Sequence, residues 1–182
     1  MAVIAPRMWY LDGPARRSAW KLRTYINDIA NSTRCMQGLL YPIFKNGEYS
    51  KKEFSKELLE VEAISGAFFI IKNDILEKIG LLDENTFLFY EEDILGHKIK
   101  KLGFKIYSLN SEKFMHYESK SIGKVYNLTK KQEVLFVSRK YYHKNYNNIS
   151  DNKLKIFDML FVLRKIELFI EVPLKKLVAL FK

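Results

Sequence analysis

Phe87-Leu88-Phe89-Tyr90-Glu91-Glu92-Asp93-Ile94-Leu95 sets an aromatic run directly against three adjacent carboxylates. From there Ile94, Leu95, Ile99 and Leu102 recur at helical spacing, and Gly103 follows as a stop. The spacing predicts an amphipathic helix whose first turn holds all three acids. Adjacent acids repel one another, so one of them can be held with a raised proton affinity, which is what a general base needs. Acids at a helix N-terminus are also ordinary stabilising residues. Spacing alone leaves both readings open.

Upstream, Ala63 to Ile71 is an apolar run interrupted by Ser65-Gly66-Ala67, read as a buried strand in which glycine permits close backbone approach. Asn73 is expected to cap a short helix that carries Ile75, Leu76 and Ile79 and ends at Gly80, followed by a turn at Asp83-Glu84-Asn85. Downstream, Phe104 to Tyr107 and Phe114 to His116 read as two short strands, and Ser119 to Gly123 as a polar loop. Thr129 and Gln132 have capping-box spacing before a helix with Val134, Leu135, Tyr141 and Tyr142. At the start, Val3 to Pro6 reads as a buried strand, with turns at Asp12-Gly13-Pro14 and Asn46-Gly47. Between those turns, Arg16 to Leu40 shows only a weak helical pattern.

Taken in order, Ser65-Gly66-Ala67-Phe68-Phe69, Asp83-Glu84, the stretch from Phe87 to Leu95, Lys98, Gly103 and the His116-Tyr117-Glu118-Ser119-Lys120-Ser121 segment resemble the inverting family 2 glycosyltransferases of the GT-A type, in particular rhamnosyltransferase-like enzymes. Val3 to Ser18, with Asp12-Gly13 and Arg17-Ser18, is similar to the strand and turn that follow the nucleotide-binding half of that family. The resemblance implies an α/β chain: the C-terminal, acceptor-side part of a GT-A nucleotide-diphospho-sugar transferase fold, with amphipathic helices behind it. It spans roughly residues 1–145; 146–152 reads as a linker and 153–182 as a basic amphipathic tail.

The family's acidic cluster usually reads Glu-Asp-x-Asp-Leu. Counting back without a gap from Leu95 and Gly103 puts Glu92 at the base, with Asp93 a rival one place along. The implied role is to take the proton of an acceptor hydroxyl as that oxygen attacks the anomeric carbon. Glu91 would orient the acceptor or a cation, and Gly66, Ala67 and Tyr90 would lie against substrate. A buried strand explains Gly66 and Ala67 equally well. His116 is a candidate for the donor's diphosphate or its metal, or a structural histidine. His97 and His143 are assigned to solvated or packing roles, and Trp9 and Trp20 to packing.

The family's donor half carries an Asp-x-Asp pair for the metal, and no such pair occurs here. The expectation is therefore a truncated or split enzyme, inactive alone. A divalent metal (Mg or Mn) and the nucleotide sugar would be bound by the complete enzyme and not by this chain alone, the other half being encoded separately or lost. The acceptor would be a glycan or a lipid-linked sugar.

Composition fits these readings. The chain has 182 residues, 48% hydrophobic and 29% charged, so it can bury a core and is not a disordered polyelectrolyte. A net charge of +10 favours an anionic partner. The single Cys35 excludes an internal disulfide and a cysteine zinc site, and suits a reducing, cytoplasmic setting. Residues 1–9 lack the layout of a signal peptide. The basic Tyr-rich stretch Arg139 to Tyr146 could stack bases, but nothing else suggests a nucleic-acid fold. Residues 153–182 read as a helix broken at Pro173, with Arg164, Lys165, Lys175 and Lys176 able to meet an anionic membrane surface, or as a face packed on the rest of the chain. A non-catalytic basic module binding such a membrane is the alternative function.

Overall fold

The computed structural model describes residues 1–15, 18–40, 47–86, 88–117 and 127–180, with the side chains of the last helix described to Pro173. Arg16, Arg17, Asn46, Phe87 and the loop Ser119 to Gly123, all singled out above, lie outside the described residues. The chain is mixed α/β and divides into two compact units, residues 1–23 with 47–123, and residues 24–46 with 124–182. These units do not follow the boundaries drawn at 145 and 153. The basic Tyr-rich helix and the tail belong to one unit, together with the part of the weakly patterned segment from Thr24 onward.

In the first unit, β1 (Val3–Tyr10) is the central strand of a mixed sheet. On one side it runs parallel to β7 (Ile106–Met115), and β7 in turn pairs antiparallel with β4 (Leu58–Val61). Its other edge is shared by two short antiparallel partners, β2 (Gly13–Pro14) near Trp9 and β6 (Ile70–Ile71) near Val3. Val3 and Ala5 on β1, and Ile106 and Ser108 on β7, alternate inward, the period-two pattern of a strand with one face in the core. The β1–β7 register shifts between Pro6 and Arg7. Proline has no N–H for the ladder, and strands accept it at such irregularities. On β7, Asn110 turns to the neighbouring loop instead, its N–H donating to Glu57 O at 2.7 Å. The two short strands expected from Phe104 to His116 are thus one strand with a bulge.

The apolar run Ala63 to Ile71 is likewise not one strand. β5 (Ala63–Ile64) pairs antiparallel with β3 (Ala19–Trp20) in a separate two-stranded sheet, and after a turn β6 joins the main sheet. α3 (Asn73–Lys78) has Lys72 as its N-cap with no side-chain bond, so Asn73 does not cap it; Gly80, at φ +71°, closes it as expected. α4 (Glu91–Lys101) buries Ile94, and it buries Leu95 and Ile99 in a core with Val3, Val61, Ile64, Ile75 and Ile106. Leu102 falls beyond the helix end and is exposed, and Gly103 at φ +72° ends the turn.

Gly96 sets how closely α4 approaches β5. A Cβ there would overlap the Glu62 carbonyl oxygen and stand 3.0 Å from Leu22 Cδ2. Gly96→Ala gains about 1 kcal/mol of helix propensity, but overpacking against backbone costs about 1–3 kcal/mol. Thermal unfolding is expected to show a net loss, and an unchanged or raised Tm would mean that the helix can shift.

The second unit is helical: α1 (Tyr25–Ala30), α2 (Arg34–Leu40), α5 (Leu128–Asn145) and α6 (Asp151–Leu180). The weak pattern over residues 16–40 resolves, among the described residues, into strand β3 and two short helices, α1 being capped by Thr24, whose side chain accepts from Asn27 N–H. α5 is capped by Asn127, not Thr129. α6 runs through Pro173 without a break. The carbonyl that proline leaves without a donor is that of Phe169, an exposed residue which water can serve. Phe136, Leu154, Phe157 and Leu160 form the core. Beside it His143 is fully buried, bonded through Nε2 to Asp28 at 2.8 Å and stacked on Phe157, which bears out a packing role.

Candidate active site

The N-terminus of α4 holds the three carboxylates, and the backbone before it is strained. Phe89 and Tyr90 both have left-handed conformations, φ +69° and +70°. Such residues are uncommon outside glycine and persist only where surrounding structure enforces them. Here the enforcement is visible: Tyr90 is fully buried and the Arg23 guanidinium lies 4.6 Å over its ring. Tyr90 therefore supports the turn from below. Its side chain has no exposed surface, at a position where the resemblance implied a substrate contact.

Glu92 and Asp93 are neighbours in sequence with opposite environments. Asp93 has no exposed surface. Its Oδ1 accepts from Trp20 Nε1–H at 3.3 Å and from Arg23 N–H at 3.2 Å, and its Oδ2 pairs with Arg23 Nε at 3.2 Å. That carboxylate is hydrogen-bonded through Oδ1 and ion-paired through Oδ2, and it ties β3 to α4. Trp20, assigned above to packing, is one of its donors, and Arg23, which no sequence pattern singles out, supplies the others. Both lie about 70 residues from Asp93 in sequence, beyond the reach of any local pattern.

Glu92 is half-buried and makes one short contact to another segment: Gly66 N–H donates to its Oε1 at 3.1 Å. Burial raises its proton affinity and the adjacent Glu91 raises it further, against smaller lowering by the Gly66 and Glu92 N–H groups and by Arg23. Glu91 is exposed as a residue, yet its carboxyl is also shifted up, mainly by displaced water and in part by Asp93. A carboxyl that is raised, partly open to solvent and near a backbone donor can accept a proton from a bound hydroxyl. Asp93, by contrast, is closed to solvent and held by Trp20 and Arg23.

The Ser65-to-Ala67 turn brings Gly66 to Glu92, and it sits over the carboxyl ends of β1 and β7. Ser65 Oγ lies 3.5 Å from Met8 Sδ, and Phe68 packs on Phe114 at 5.7 Å between ring centroids. Ligands of open α/β sheets collect outside the carboxyl ends of parallel strands. Ala67 is exposed in the same turn, its N–H bonded to Ser65 Oγ at 3.3 Å. Glycine at 66 leaves room for this approach: a Cβ would stand 3.0 Å from Glu92 Oε1, and the carboxylate would have to give by a few tenths of an ångström. His116 follows β7 at the same end of the sheet, its N–H bonded to Trp9 O at 2.8 Å and its ring 6.0 Å from that of Tyr10.

Among the described residues no group of three or more His, Cys, Asp and Glu side chains could hold a metal ion. The described residues thus offer no ligand set for the divalent metal that the resemblance assigns to the complete enzyme, and the ring beside His116 is that of Tyr10. Among the described residues, too, no helix is long and apolar enough to cross a membrane. Comparison of the chain with protein-family models, with curated proteins and with solved structures finds no match.

Proposed function

We propose that this chain contributes the acceptor side and the catalytic base of an inverting, GT-A type glycosyl transfer. The single observation that carries the proposal is the pairing of Glu92 with Gly66, two candidate residues 26 positions apart that meet at the carboxyl ends of β1 and β7. The acceptor hydroxyl would bind against the Ser65-to-Ala67 turn. Its proton passes to the Glu92 carboxylate as its oxygen forms a bond to the anomeric carbon, and the bond from that carbon to the nucleoside diphosphate breaks. Attack from the opposite face inverts the anomeric centre. Glu91 helps keep Glu92 basic by like-charge repulsion, while Asp93, Arg23, Trp20 and Tyr90 hold the helix end that carries it. The nucleotide sugar belongs to a donor-binding half, which the resemblance places N-terminal to Val3.

The test is transfer by the native assembly isolated through a tag on this chain, offered a panel of nucleotide sugars and glycan or lipid-linked acceptors. Product of inverted anomeric configuration is expected; retention, or no transfer from any donor, would overturn the proposal. Gly66→Ala probes the same geometry. Its backbone does not require glycine and the site is exposed, so stability should change by no more than about 0.5 kcal/mol. The methyl must nevertheless displace Glu92 by a few tenths of an ångström, and turnover is expected to fall roughly tenfold. Full activity in Gly66→Ala would show that the seat of Glu92 is not used.

A further inference from the structure

We propose that the outer face of α6 is a docking surface for the headgroup boundary of an anionic membrane. α6 is apolar on two sides. Leu154, Phe157 and Leu160 face the core of their unit and Leu168 is buried, yet Met159, Val162, Leu163, Ile166, Phe169 and Ile170 are exposed. Met159 is 72% and Phe169 83% accessible, far more than a packed face permits. These six share a strip at three- and four-residue spacing, the layout of a helix lying in an interface plane.

The charges around the strip are sorted. The acids of the second half of the helix turn away from it: Glu167 accepts from Arg34 N–H and Cys35 N–H, and Glu171 pairs with Arg34 and Arg164. Asp158 is held by Lys140 at 2.6 Å. Lys153, Lys155 and Lys165 are exposed and form no salt bridge among the described residues, and the Lys165 ammonium lies 4.4 Å over the Phe161 ring. The unit that bears the strip holds 15 of the chain's 31 basic residues but only six of its 21 acidic ones. An anionic lipid surface complements that charge. A second copy of the same unit would bring two strongly basic surfaces together.

The inference does not depend on the role of Glu92. Flotation of the full chain with phosphatidylcholine vesicles, with and without phosphatidylglycerol, reads it directly. Binding is expected only with the anionic lipid and is expected to weaken as salt is added. Met159→Glu with Phe169→Glu should weaken it by at least about tenfold while the Tm stays at the wild-type value, since neither side chain is part of the core. Unchanged flotation of that variant, equal binding to neutral vesicles, or no binding at all would overturn the proposal. So would a concentration-dependent dimer in sedimentation that the same two substitutions abolish.

Discussion

Exchanging Glu92 for Gln is expected to cut sugar transfer by about 10²- to 10⁴-fold, the usual contribution of a general base, while leaving the fold intact or more stable. The two effects have one cause. Burial and Glu91 raise the proton affinity of Glu92 in the folded chain, so ionising it opposes folding. For a carboxyl raised on folding, the stabilising contribution is complete below the unfolded value and is lost as pH rises through the folded value. Stability of the wild type should therefore decline with rising pH in the window just above the ordinary glutamate range, and Glu92→Gln should remove part of that decline. Activity should move the opposite way, rising through the same window as the base ionises. Thermal unfolding and initial rates, measured on the same samples across pH, separate the two. A Glu92→Gln protein that is less stable at neutral pH would identify Glu92 as a structural residue.

Asp93→Asn should do the reverse. Its carboxylate has no exposed surface and meets Trp20 and both the backbone and guanidinium of Arg23. Breaking a buried pair by removing one charge costs about 3–5 kcal/mol. The lower end applies here, because the Arg23 side chain is 26% exposed and water can serve it when the partner is lost. About 3 kcal/mol corresponds to a drop of roughly 6–12 °C in Tm for a chain of this length. The loss extends beyond one ion pair, since Arg23 also lies over Tyr90, whose left-handed backbone turns the chain into α4. Any fall in transfer should then track the unfolded fraction and recover on cooling. A Tm within about 1 °C of wild type would mean that Arg23 and Trp20 find other partners without cost.

What the sequence made legible was local. Helical spacing from Ile94 to Ile99, the stops at Gly80 and Gly103, and the placement of three acids in one first turn all depend on neighbours within a few residues, and the structure has them so. The glycine at 66 was noticed, but its purpose needed the fold: only the approach of Glu92 shows what a methyl would strike. The rivalry between Glu92 and Asp93 was not decidable from spacing. The two acids differ in burial and in donors from residues 20 and 23, brought in by the pairing of β3 with β5. Errors elsewhere have similar causes. Pro173 reads as a helix break, yet the helix passes through it where Phe169 is exposed. The split of Ala63 to Ile71 between two sheets could not be seen in a run of apolar residues.

The central claim, that Glu92 is a base held ready by its surroundings, is tested most directly by following its carboxyl carbon through a pH titration by NMR, with Glu92→Gln assigning the signal. The expected titration lies above the ordinary glutamate range and coincides with the rise of turnover in the native assembly. A Glu92 that titrates at or below that range, or turnover that rises at an unrelated pH, would contradict it.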